Sequence, residues 1–142
     1  MVALACAADP RFAVSRLDAP HPDGTPNYTV HALQALQEEW PNARLFNIVG
    51  ADSFATLAQW HDPIRLLSLA EWIVVSRPGI GLAPPPGLSL TTQQLARIHP
   101  LDTLHEDVSA TELRHRLHAG DACTDLLPPE VDRYIQQKEL YR

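Results

Sequence analysis

The sequence predicts an α/β protein built on a parallel sheet. Three observations point there. Two short apolar runs, Leu45-Phe46-Asn47-Ile48-Val49 and Trp72-Ile73-Val74-Val75, have the length and side chains of buried strands. Helical patterns alternate with them along the chain. Each run also stops on a turn signal, Gly50 after the first and Arg77-Pro78-Gly79 after the second. Strands that alternate with helices imply crossover connections and parallel pairing.

The elements follow in order. Residues 1–8 read as the tail of a helix whose beginning lies elsewhere, closed by Asp9-Pro10. Phe12-Ala13-Val14 is a short strand candidate. Three prolines and a glycine make 20–26 a loop. A helix is expected from Thr29 to Trp40, with Val30, Leu33, Leu36 and Trp40 on one face and Pro41 as its stop. Asp52 or Ser53 can cap a short helix that reaches Trp60. A further helix starts at Asp62-Pro63, with proline at its first position. The segment 80–100 is irregular around Pro84-Pro85-Pro86, with a short helical piece near Thr92 to Ile98. A last strand is expected at Leu101 to Leu104, then helices Ser109 to His118 and Pro129 to Gln136.

A length of 142 residues suits one domain, 1–142. Hydrophobic residues at 45% and charged residues at 20% are ordinary for a globular chain. A net charge of −6 argues against a nucleic-acid surface, yet leaves room for a local basic pocket that takes a small anion. Cys6 and Cys123 stand in no metal or redox spacing and read as small buried or half-buried thiols. Neither a basic leader nor an apolar run of membrane length is visible, so a cytoplasmic protein is expected.

In open parallel sheets, ligands bind beyond the carboxyl ends of the strands. That singles out three segments: Gly50-Ala51-Asp52-Ser53, Ser76-Arg77-Pro78-Gly79 and Val108-Ser109-Ala110-Thr111. Glycine at 50 lets a ligand approach the backbone, and Asp52 can accept hydrogen bonds from ribose hydroxyls. A tight turn capped by Asp52 explains the same residues. Ser109 with Glu112 forms a capping-box pattern, which capping alone explains. Thr111 and Arg114 are not needed for capping and carry more of the functional weight, as a hydroxyl and a cation near free helix amides. Trp60 can stack on an aromatic ring or belong to the core, and the core reading is the simpler one. Arg77 faces an anion or solvent. His105, His115 and His118 lack the cysteine or carboxylate that would complete a metal site, so no metal ligands are assigned.

Read in order, these segments resemble the nicotinate-nucleotide adenylyltransferase family. The matching stretches are Asn27-Tyr28-Thr29-Val30, Ile48-Val49-Gly50-Ala51-Asp52-Ser53-Phe54, Gln59-Trp60-His61 and Val74-Val75-Ser76-Arg77-Pro78-Gly79. Val108 to Arg114, Leu126 to Val131, Tyr134-Ile135 and Leu140-Tyr141 complete the set. The resemblance covers nearly the whole chain. It implies a Rossmann-like fold of the nucleotidyltransferase superfamily whose phosphate loop carries a His-x-Gly-His motif. It implies transfer of AMP from ATP to nicotinate mononucleotide, with Mg²⁺ arriving on the triphosphate. By resemblance, Thr29, Trp60 and His61 hold the pyridine ring and its carboxylate, with Arg77 on the same substrate side. Gly50 and Asp52 line the nucleotide groove, and Ser109, Thr111 and Arg114 hold the ATP phosphates. The family's first strand and its Gly-x-Phe-Asp-Pro-x-His-x-Gly-His loop have no match here, so no catalytic residue is assigned and the domain is expected to be partial. A non-catalytic nucleotide-binding remnant is the alternative. An adenylyltransferase for another substrate is a further one, which Trp60 and Thr29 argue against.

Overall fold

A computed structural model of the chain describes residues 1–76, 83–103, 109–121 and 123–141. They fall into two compact units, Arg16–His105 and a second made of Met1–Ser15 with Glu106–Arg142.

The larger unit holds a three-stranded sheet, β1 (Phe46–Gly50), β2 (Glu71–Val75) and β3 (Ile98–Leu101), in that spatial order and all parallel. The register pairs Gly50 with Val75 and Val75 with Leu101, so the three strands end level. Helix α2 (Thr29–Glu39) leads into β1. Helix α3 (Ala51–Ala55), a 3-10 turn (Leu57–Gln59) and helix α4 (Pro63–Leu69) connect β1 to β2. Helix α5 (Thr92–Leu95) precedes β3. Thr91 and Gln94 cap it reciprocally, a Thr-x-x-Gln pattern legible in the sequence.

Trp72 and Val74 of β2 are fully buried, and Phe54, Leu57, Leu66, Leu67, Val30 and Leu33 pack into the same core. The alternation on β2 puts Trp72, Val74 and Ser76 on this face. The other face carries Phe46, Ile48, Ile73, Val75, His99 and Leu101 by the same period. There Phe46 is 44% and Ile48 is 68% exposed. The expectation of a buried first strand is therefore corrected. Helices cover one face of the sheet, and β1 is an edge strand.

Other expectations also shift. Phe12-Ala13-Val14 is irregular, with Phe12 and Val14 exposed and no ladder partner among the described residues. The last strand runs from Ile98 rather than Leu101, because the Trp72 amide bonds to the Arg97 carbonyl and sets the register early. Pro100 is tolerated there because β3 lies at an edge. Trp40 is half exposed at the end of α2 and leaves the apolar face of Val30 and Leu33. Leu104 lies outside the described residues.

The smaller unit packs α1 (Val2–Cys6) against α7 (Pro129–Gln137), and also contains α6 (Ala110–His118). Leu117, Cys123, Val131 and Ile135 form its core, with Leu4, Leu113, Leu127 and Leu140 around them. Leu113 and Leu117 face inward, as their spacing requires. Cys123 is buried, Cys6 half-buried, and both are free. Among the described residues, no helix is long and apolar enough to cross a membrane.

Candidate functional site

The connections decide which end of the sheet gathers the candidate residues. Helix α2 has 11 residues and rises about 16 Å. The five residues of β1 climb about the same distance. The chain descends α2, turns through 40–45 and ascends β1, so the start of α2 lies at the carboxyl end of the strands. Helix α4 likewise descends toward β2, with only Ala70 between them, and places Trp60, His61 and Asp62 at that same end. Gly50 and Asp52 follow β1 directly. Thr29, Gly50, Asp52, Trp60 and His61 thus share the end of the sheet where ligands bind in open parallel folds.

Aromatic contacts make this gathering specific. The Tyr28 and His61 rings stack with centroids 4.1 Å apart and planes 20° apart. His31 meets both edge-on at 5.7 Å. Tyr28 occupies the N-cap position of α2; its carbonyl accepts from the His31 amide at 2.9 Å, but its side chain caps none of the first amides, beginning at Thr29. A cavity lined by Leu17, His21, Asn27, Tyr28, His31 and Ala32 opens beside the same turn. Neither Tyr28 nor His31 was given a role by sequence reasoning. The Asn27-Tyr28-Thr29 stretch was the available signal.

Trp60 is half-buried. Its indole Nε1 donates to the Thr56 hydroxyl at 3.2 Å, and its ring meets Trp72 edge-on at 6.0 Å. It belongs to the core and keeps an accessible portion. His61 is exposed. Asp62 adopts a left-handed conformation (φ 49°) and accepts from the Arg65 amide at 3.2 Å, capping α4 with Pro63 behind it.

Gly50, not Asp52 or Ser53, takes the N-cap position of α3, and it has no side chain to cap with. The cap expectation is corrected because the helix begins directly on the strand. That leaves the Asp52 carboxylate in the first turn, exposed and without a hydrogen bond among the described residues. At Gly50 φ is −71°, and a Cβ there would meet nothing within 4 Å.

On the smaller unit, Ser109 caps α6 by accepting from the Glu112 amide at 3.4 Å. The Glu112 carboxylate does not return the bond, so the capping box is half formed. Thr111 and Arg114 are exposed, and Arg114 pairs with no carboxylate among the described residues. Arg116 does, at 3.4 Å from Asp125. Arg77 and His105 lie outside the described residues.

The opposite end of the sheet is an ionic clamp. Glu71, the first residue of β2, accepts from Arg44 at 2.8 Å and pairs with His99 Nε2 at 2.6 Å. Those two partners, His99 foremost, hold its carboxyl below the usual range. Among the described residues, no cluster of three or more histidine, cysteine or acidic side chains could hold a metal ion.

A parallel sheet whose three strands end level, with helices packed on it, defines an α/β protein of Rossmann-like design. No protein-family model matches the chain. It is 37% identical over 145 residues to a probable nicotinate-nucleotide adenylyltransferase of Corynebacterium kroppenstedtii, covering 99% of this chain and 64% of that protein. It is 39% identical over 142 residues to the corresponding protein of Streptomyces coelicolor, covering all of this chain and 71% of that one. Among solved structures it resembles Plasmodium falciparum nicotinic acid mononucleotide adenylyltransferase complexed with APC. There the TM-score is 0.58 at 17% identity, over 86% of this chain and 62% of that one. The chain belongs to the nicotinate-nucleotide adenylyltransferase family, a family of enzymes, and spans about two thirds of the length of these relatives.

Proposed function

We propose that the chain handles the two substrates of adenylyl transfer from ATP to nicotinate mononucleotide. In that reaction the 5′-phosphate oxygen of the mononucleotide bonds to the α-phosphorus of ATP. The bond from that phosphorus to the bridging oxygen breaks, and pyrophosphate leaves with nicotinate adenine dinucleotide as product. The step needs positioning and charge stabilisation and no covalent enzyme intermediate.

One observation carries the reading. The Tyr28–His61 stack joins the start of α2 to the Trp60-His61 turn, at the end of the sheet where Gly50 and Asp52 also lie. Thr29 and His61 then suit an anionic carboxylate, and the accessible part of Trp60 suits the flat pyridine ring. Arg77 is assigned to the same substrate. Gly50 leaves the backbone open to a nucleotide, and Asp52 is free to accept from ribose hydroxyls. On the smaller unit, Ser109, Thr111 and Arg114 are the candidates for the ATP phosphates, with Arg114 as an unspent cation. The Mg²⁺ ion of this reaction would arrive on the triphosphate. A cytoplasmic location suits this substrate pair.

Calorimetric titration with nicotinate mononucleotide and with nicotinamide mononucleotide tests the reading. Saturable binding that favours the nicotinate form, weakened by His61→Ala, is expected. Absence of binding by either compound overturns it. A second reading is binding without turnover. Dinucleotide formation from ATP and nicotinate mononucleotide separates the two.

A further inference from the structure

One polar side chain in the larger unit has no structural reason to be polar. Ser76 follows β2 directly and is 6% exposed. Its amide still belongs to the ladder, donating to the Leu101 carbonyl at 3.0 Å. Its hydroxyl has no hydrogen-bond partner among the described residues. Leaving a buried hydroxyl unpaired is costly, while an alanine of nearly the same size carries no such penalty. The strand's own chemistry therefore favours alanine or valine at this position.

Its location gives the hydroxyl a use. Ser76 continues the alternation of Trp72 and Val74, so it sits on the helix-covered face of the sheet. It stands one residue beyond the Gly50–Val75 pair, level with the start of α3. Four residues below it on the same face, Trp72 contacts Trp60 and Phe54. Ser76 thus stands at the carboxyl end of the central strand, next to the level of the Gly50–Asp52 turn and on the face that carries Trp72. Groups in that position face the crevice of an open parallel sheet.

We infer that Ser76 is a ligand-binding residue whose hydroxyl is completed by the ribose or phosphate oxygens of a bound nucleotide. The inference rests on the nucleotide-binding reading above and adds a residue to that site. Ribose hydroxyls and phosphate oxygens both accept from a serine hydroxyl, and a ribose hydroxyl can also donate to it. Both substrates carry them, and separate titrations identify the source.

The test is Ser76→Ala in the full chain, with two readouts. Thermal melting without ligand is expected to be unchanged or raised, since an unpaired buried hydroxyl is removed. Calorimetric affinity is expected to fall about three- to tenfold for one nucleotide, either nicotinate mononucleotide or ATP with Mg²⁺. Ser76→Thr, which keeps the hydroxyl, is expected to retain more affinity than Ser76→Ala. Equal affinity of Ser76→Ala and the unmodified chain for both nucleotides overturns the inference and leaves the substrate reading intact. A lowered melting temperature with weakened binding of both nucleotides also overturns it, because the hydroxyl then serves the fold. If the unmodified chain binds neither nucleotide, the substrate reading fails and the inference falls with it.

Discussion

Tyr28 and His61 lie 33 positions apart in sequence, yet their rings stack at 4.1 Å, nearly parallel. One sits at the start of α2 and the other just ahead of α4, so the pair ties together two helices that reach the sheet separately. Both rings are exposed, which limits their value to the fold and leaves their outer surfaces accessible.

A double-mutant cycle measures that tie. Tyr28→Ala and His61→Ala should each destabilise the chain slightly, with a coupling of about 0.5–1.5 kcal/mol in urea denaturation. Additive losses would mean the stack contributes nothing in solution.

Trp60 should behave differently because it is half core. Trp60→Ala removes the edge contact with Trp72 and the bond to Thr56, and should cost about 2–3 kcal/mol. Trp60→Phe should recover most of that. Chemical denaturation of the two variants reads the difference, and equal losses would point to the indole hydrogen bond instead of ring packing.

Arg114 is predicted to be silent in stability and audible in binding. It is exposed and unpaired among the described residues, so Arg114→Ala should shift unfolding by under about 0.5 kcal/mol. Affinity for ATP with Mg²⁺ should drop severalfold, and more steeply at low salt. Unchanged ATP affinity would remove Arg114 from the site.

Legibility in the sequence followed how local each cause was. The α2 helix, the Asp62-Pro63 start of α4 and the inward Leu113-Leu117 pair were readable because spacing and turn chemistry fix them within a few residues. The exposed face of β1 was not. Phe46 and Ile48 are apolar in a parallel strand, and only the tertiary arrangement decides whether anything covers them. The Asp52 cap failed because α3 starts without a loop, a matter of one residue of register. The candidate site was legible as motifs, while the Tyr28–His61 contact and the orphan hydroxyl of Ser76 depend on side-chain packing that no spacing encodes.

The ionic clamp at Glu71 predicts an acid limb of stability. Its folded-state pKa is lowered, so its contribution is complete above the ordinary glutamate range and is lost as pH falls through the lowered value. Melting temperature should therefore decline on acidification in that window, and Glu71→Gln should make the decline shallower. An identical acid profile for the variant would assign the decline to other carboxylates.

The exposed apolar side chains of β1 predict self-association. Ile48, at 68% exposure on an edge strand, is an invitation to pair with another apolar surface. Ile48→Lys should raise the concentration at which the chain stays monomeric in ultracentrifugation, with stability changed by under about 0.5 kcal/mol.

Gly50 has the last consequence. Its backbone angles are ones any residue adopts, and the space beside its α-carbon is empty. Among the described residues, no atom would be displaced by a methyl group there. Gly50→Ala is therefore a reporter that the free chain ignores, and any effect it has on a titration curve comes from the molecule that the added carbon touches.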